Sequence, residues 1–395
     1  MKNLQKNIIA IALSTAVATI AFASTNAVAI TDAEVAEKKA YLQKMTEARP
    51  GDERAGDKAV HERYKDAIVI DQLVPGTPGG YVGQSTADWE AMAGKSRDNN
   101  IDLVSYTAAI DDTFDPLIIM DWIAQARIFW DKNSDKYQVV ETVDDIRAAH
   151  KSGKFMVNIN FQGSNALGGN LNMVETYYKL GVRSMNFAYN VRNHMSDGGG
   201  VAPDRDGGLS KAGIRLVAEM NRVGMIVDCT HSSNRTCLDA AAASTKPIIL
   251  SHSNAYGTYA LPRNSPDDVI KAVAKTGGAI CANGLGGFHN KQGFAGPEDL
   301  AKTINYVKEL VGAKHTCWGS DYVDPVVYVN ALDFVLRNPE SFPPELGYGS
   351  PTEIAEPGDI WGVVSVLEDK YGWTEQEIKG FLGENLMRVY KANWR

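Results

Sequence analysis

Eight short apolar runs recur along this chain, separated by stretches with helical spacing. They are Ala67–Asp71, Ile101–Tyr106, Phe155–Phe161, Val182–Ala188, Met225–Cys229, Pro247–Leu250, Gly278–Cys281 and Thr316–Trp318. Between them, Leu209–Val223 sets Ile214, Val217, Ala218 and Met220 on one helical face, and Val269–Lys275 and Leu300–Val311 behave alike. Short buried strands alternating with helices build a parallel sheet. Eight such units predict an α/β fold closed as a (β/α)8 TIM-type barrel over residues 66–395. A charged, helix-prone lead-in (30–65) precedes it, and helices over Trp361–Tyr371 and Thr374–Tyr390 close the chain. Phe334–Pro357, rich in Pro, Glu and Gly, reads as a surface excursion. The Gly-rich stretches Pro75–Gly83, Gly163–Gly169, Asp197–Gly208 and Gly284–Gly287 fall after strands, on the face where a barrel carries its site.

The first 29 residues read as a secretory signal peptide. Lys2 and Lys6 precede the apolar stretch from Ile8 to Ala23, and Ala27-Val28-Ala29 offers a small-x-small cleavage site. The expectation is an exported protein, periplasmic or extracellular, with no membrane span after leader removal. The formal charge of −8 argues against nucleic acid as a partner and leaves no basic membrane-binding patch. The four cysteines, Cys229, Cys237, Cys281 and Cys317, match neither a zinc knuckle nor a redox motif. An exported protein could pair some of them, but buried strand thiols are the expectation for Cys229, Cys281 and Cys317.

Three runs end in groups that carry chemistry. Met225–Cys229 leads to Thr230-His231, Pro247–Leu250 to Ser251-His252, and Thr316–Trp318 to Gly319-Ser320-Asp321. In a closed barrel these ends converge on one mouth. Two imidazoles and a carboxylate suit zinc or a similar divalent ion, and Asp321 could instead serve as general base beside a bound water. Each strand-end histidine alone is as well explained as a hydrogen-bonded core residue. Along Phe155–Phe161 and into Gln162, the amides Asn158, Asn160 and Gln162 alternate and therefore share the interior face, where they must find hydrogen bonds. They fit either a rebuilt site or a merely polar interior layer.

From about Asp66 onward the chain resembles the membrane (renal-type) dipeptidases, peptidase family M19 of the amidohydrolase superfamily. The resemblance rests on Lys179-Leu180-Gly181-Val182-Arg183, Gly208-Leu209-Ser210, Glu219–Met225, Asp228-Cys229-Thr230-His231, Ser251–Tyr256, Arg263–Asp268, Gly319-Ser320-Asp321 and Gly383–Val389. It implies a zinc-dependent barrel hydrolase acting on dipeptides, in a family that commonly holds two metals and often dimerises. On the matching positions, His231 and His252 are implied ligands of the second metal. Asp321 is implied to handle the proton of the attacking water. Arg263 is implied to grip the substrate carboxylate, a task suited to a guanidinium fork, with Asn264 beside it.

Other positions depart from the family pattern. Where its first strand carries His-x-Asp, this chain has Leu73 and Pro75, neither of which can ligate through its side chain. Gln162 stands in place of the bridging glutamate, and an amide is a poor bridge between cations. Tyr189 replaces a substrate-binding histidine. One zinc ion is therefore expected on His231 and His252, aided by Asp321 or Gln162, and two ions are not. Three readings stay open: a one-metal hydrolase acting on a small carboxylate-bearing, dipeptide-type substrate; a metal-poor relative that binds a peptide or does other chemistry on one; or ligands supplied elsewhere, from Asp71 or Asp111-Asp112.

Overall fold

The computed structural model describes residues 30–47, 58–80 and 85–395. The expected leader lies outside the described residues. Nine strands form one wholly parallel sheet: β1 (Ile70–Pro75), β2 (Leu103–Ile110), β3 (Tyr137–Val139), β4 (Phe155–Gln162), β5 (Val182–Asn186), β6 (Ile226–Asp228), β7 (Ile249–Leu250), β8 (Ala279–Ala282) and β9 (Thr316–Trp318). Eight of them follow the barrel path β1-β2-β4-β5-β6-β7-β8-β9, matching the eight apolar runs. The extra strand, β3, pairs with β4 only as far as Val139–Val157, and β5 takes over from Ile159. It adds a strand outside the expected set.

No ladder joins β9 to β1. The Asp321 N–H donates to the Leu73 carbonyl (2.9 Å), and the Ser320 N–H (2.8 Å) and hydroxyl donate to the Asp71 carboxylate. The barrel thus closes through a side chain as well as the backbone.

The interior is layered. At the strand N-termini, Ile70, Leu103, Met156, Ile226, Ile249, Cys281 and Cys317 pack with Leu386, Met387 and Tyr390 of the closing helix Asn385–Asn393. Above this apolar plug the inward positions turn polar. Asn160 donates to the Ser105 carbonyl (3.0 Å) and accepts from Thr107 Oγ1 (2.8 Å), while Gln162 donates to Thr107 Oγ1 (3.1 Å). Asn158 departs from expectation: neither of its buried amide atoms has a hydrogen-bond partner among the described residues. The larger core lies between the sheet and the surrounding helices.

Three expectations need correction. Cys281 and Cys317 are not free strand thiols. Parallel register sets them side by side on β8 and β9, and they form a disulfide, while Cys229 and Cys237 stay reduced and buried. The helix Lys211–Val223 buries Gly213, Leu216, Val217 and Met220, leaving Ile214 44% exposed. Its inner face is therefore rotated from the one first drawn. The lead-in is two helices, Asp32–Glu47 and Lys58–Arg63. Phe334–Pro357 is no surface excursion: Phe342, Leu346, Ile354 and Ala355 are buried, and the segment folds back over the barrel mouth. Its polar composition hides apolar anchors spaced along it. No helix among the described residues is long and apolar enough to cross a membrane.

Candidate active site

His231 follows β6 in a tight turn. Ser232 N–H returns to the Cys229 carbonyl (3.1 Å), and Ser233 caps the next helix, Asn234–Ala243, by accepting from Thr236 N–H. The turn forces His231 to φ +65°, a left-handed conformation that a non-glycine residue rarely holds. Gly199 lies against it, donating its N–H to the His231 carbonyl, and a Cβ there would come within 2.8 Å of that oxygen. His252 follows β7 and is fixed by its own N–H to Thr230 Oγ1 (3.3 Å). Asp321 follows β9, also left-handed at φ +57°. Two of the three chemistry-bearing groups at strand ends thus sit in strained backbone, a pattern that clusters at functional sites.

The structure brings the two imidazoles together, with His231 Nε2 2.8 Å from His252 Nε2. The surrounding bonds fix the tautomer of His231. Asn190 donates its Nδ2 to the Ser341 carbonyl (2.8 Å), which turns its Oδ1 towards His231 Nδ1 (3.2 Å). His231 therefore carries its proton on Nδ1 and a lone pair on Nε2. His252 Nε2 faces that lone pair, and its Nδ1 lies 2.7 Å from the Ser251 hydroxyl, which can donate to it or accept from it. Burial, together with the Arg263 charge, holds both rings well below the ordinary imidazole value, so both are neutral near pH 7.

Arg263 lies directly on this pair. Its Nη2 is 3.3 Å from His231 Nε2 and donates to the His252 carbonyl (3.1 Å), and its guanidinium stands 5.2 Å from the Phe288 ring centroid. Its buried Nε has no partner among the described residues, which leaves a donor for an anion. Tyr189 stacks on His231 with ring centroids 3.7 Å apart, and its hydroxyl is 3.4 Å from that of Tyr348. Asn264 turns into the protein instead, its Nδ2 donating to the Tyr259 (3.0 Å) and Phe288 (2.9 Å) carbonyls.

Asp321 accepts from Asn283 Nδ2 (3.0 Å). Burial pushes its carboxyl up to about 6, against the downward pull of Arg263 and Asn283. Asp71 and Asp111, two of the three alternative ligand candidates, are committed elsewhere. Asp71 holds Ser320 at the barrel seam, and burial raises it to about 7. Asp111 accepts from the backbone of Asn165 (3.0 Å) and Tyr189 (3.2 Å) and from Asn193 Nδ2 (2.8 Å), and burial raises it to about 6.

These residues fit one divalent cation in part. Two neutral imidazoles with facing Nε2 atoms are suitable donors when His252 carries its proton on Nδ1, where Ser251 Oγ can accept it. At the end of β1, Leu73 and Pro75 carry no side-chain donor atom, and Gln162 donates its amide N–H to Thr107. Among the described residues no three His, Cys, Asp or Glu side chains converge as a ligand set.

Nothing in the sequence marks Asn190 or Tyr348, which reach His231 from long connections. Ser251 and Asn283 were within reach, since both follow apolar runs directly, as the histidines do.

A parallel eight-stranded barrel with its polar cluster at the strand C-termini defines an enzyme-type (β/α)8 scaffold. The membrane dipeptidase (peptidase family M19) model matches residues 109–339, and the chain belongs to that family. An uncharacterized dipeptidase of Schizosaccharomyces pombe is 30% identical over 267 residues, covering 66% of this chain and 58% of that protein. Dipeptidase tcpJ of Claviceps purpurea is 29% identical, covering 69% of this chain and 63% of its own length. The chain thus spans about six-tenths of the length of these curated relatives. Among solved structures, an amidohydrolase from Pseudomonas aeruginosa superposes with a TM-score of 0.73 at 26% identity, over 85% of this chain and 98% of that one. A metallopeptidase from Rhodobacter sphaeroides, liganded with a phosphinate mimic of L-Ala-D-Ala, shares the fold at a TM-score of 0.66 and 18% identity, over 83% of this chain and all of that one (100%).

Proposed function

We propose that this protein is a metal-dependent, dipeptidase-like hydrolase that cleaves an amide bond in a small carboxylate-bearing substrate. The observation that carries the reading is the meeting of His231, His252 and Arg263 within hydrogen-bond distance at the barrel mouth. Family membership and the names of the relatives support it further.

The roles follow from the chemistry of each group. His231 and His252 would hold one ion, zinc being the natural choice for imidazole donors. When bound, it would supply Lewis acidity to polarise the scissile carbonyl and to acidify water. Arg263 binds the substrate carboxylate through its unpaired Nε and neighbouring amine. Asp321, poised near 6, is ionised at neutral pH and takes the proton of the attacking water, then returns it to the leaving amine. Asn283 holds that carboxylate in place. The Tyr189 ring covers His231 and keeps bulk water from the imidazole pair. Gln162, which faces the same cavity as Asp321, is a neutral neighbour to the substrate.

The leader-like N-terminus supports export, and a Cys281–Cys317 disulfide suits an oxidising compartment. The test is turnover of a dipeptide panel by protein purified without chelators, alongside metal analysis. About one zinc per chain, lost together with activity in His231→Ala, is the expected result. Protein reloaded with zinc, cobalt or manganese that hydrolyses no dipeptide refutes the reading.

A further inference from the structure

A cavity of about 450 Å³ opens beside the site, with Asp321, Tyr189 and Gln162 among its walls. Most of the rest is apolar. The helix Pro325–Arg337 presents Val327, Tyr328, Ala331, Phe334 and Val335 to it, and the folded-back segment adds Phe342 and Tyr348. This helix is apolar enough for a core position, yet Leu332 is its only fully buried residue, and Phe334 is 53% exposed. One side of it packs on the helix Asp32–Glu47, and the apolar face of Val327, Tyr328, Ala331, Phe334 and Val335 borders the cavity. Soluble proteins rarely leave such a face bare unless something covers it in function.

The charge of the walls narrows the occupant. Among the described residues no Lys, Arg or His lines the cavity, and the acidic groups there are Asp321 and Asp112. An anionic group would meet carboxylates with no counter-charge, and a small polar one would leave the apolar walls uncovered. The floor matters equally. Pro75, at the end of β1, lines this cavity together with Gln162. Pro75 thus puts an uncharged, apolar side chain at the end of the first strand there.

We infer that this cavity is the pocket for a large uncharged side chain of the substrate, aromatic or branched aliphatic, whose amide bond lies over Asp321. The inference rests on the proposed hydrolase reading and adds the substrate class. Pockets of about 300–1,000 Å³ usually enclose drug-sized ligands, so a cavity of about 450 Å³ far exceeds the need of an alanyl methyl group. Ala331, Val335 and Phe334 are then specificity-determining residues, distant in sequence from every group placed in the chemistry.

The test separates binding from turnover. Pseudodipeptides whose amide carbonyl is replaced by methylene, Phe-Phe and Ala-Ala in type, are titrated calorimetrically into the full protein, and the natural dipeptides are assayed in parallel. The aromatic ligand should bind about tenfold or more tightly than the alanyl one, the scale of a buried ring. Ala331→Trp, which fills the cavity, should erase that preference. Phe334→Ser, at a position 53% exposed, should reduce it several-fold. Equal binding of the two ligands, binding of neither, or a preference untouched by both variants overturns the inference, even if both dipeptides are hydrolysed and the hydrolase reading stands. Selective binding, cancelled by Ala331→Trp but without turnover of any dipeptide, upholds the pocket and removes the hydrolase reading.

Discussion

Asp321→Asn should make this protein more stable at neutral pH while stopping turnover. The folded carboxyl sits at about 6 against an ordinary value of 3.8, because burial outweighs the help of Arg263 and Asn283. Two pKa units correspond to about 3 kcal/mol, a ceiling on what the ionised group costs the fold. The side chain opens onto the cavity, where water screens it, so about 1–2 kcal/mol is the working figure. The sign follows from linkage. A carboxyl whose folded value is raised is protonated more readily in the folded state, so its contribution is intact below the unfolded value and is lost as pH rises through about 6. The amide cannot ionise and escapes that loss. Asn also tolerates the left-handed φ of +57° at this position, which adds a small gain independent of pH. Urea unfolding at about pH 8 and about pH 4.5 reads both parts, the first being large only at the higher pH. A variant no more stable than the parent at the higher pH, or one whose advantage is equal at both, refutes the electrostatic account.

Further outcomes are expected. If Asp321 is the base, kcat/KM should fall as pH drops through about 6, and the neutral imidazoles should add no second limb nearby; a profile flat to about pH 4.5 contradicts this. Arg263→Lys should raise KM for carboxylate-bearing substrates by about tenfold or more with a smaller effect on kcat, since the point charge replaces a planar fork; steady-state kinetics decides. Replacing Cys281 and Cys317 together by Ala opens a crosslink spanning 36 residues and should cost about 4 kcal/mol on the loop-entropy model, read as a lowered urea midpoint. Thiol titration of the unfolded, unreduced parent should find only Cys229 and Cys237.

Much of the scaffold could be read from the chain because each barrel strand is short, apolar and bounded by helical spacing. His231, His252 and Asp321 were legible for the same reason: they directly follow such runs. What stayed hidden depends on contacts between distant segments. The pairing of Cys281 with Cys317 needs the parallel register of β8 and β9, which no spacing within one strand reveals. The tautomer of His231 is set by Asn190, itself turned by the Ser341 carbonyl far along the chain. Phe334–Pro357 misled through composition, since a handful of apolar residues bury a segment that is otherwise Pro, Gly and Glu. Helix Lys211–Val223 shows a milder failure. Its apolar residues spread over more than one face, and only packing chose Leu216 over Ile214.

The barrel's last strand meets its first without a ladder, through Asp71, Ser320, Leu73 and the Asp321 amide. The zip of the fold is therefore fastened at the residue proposed to do the chemistry. Whatever occupies the mouth pulls on the join between the two ends of the barrel path, and loosening that join displaces Asp321. Amide exchange at Ser320 and Asp321 should then act as a reporter of occupancy, slowing when substrate-like molecules bind and quickening when Asp71 is replaced. A protein built this way cannot relax its seam and keep its site.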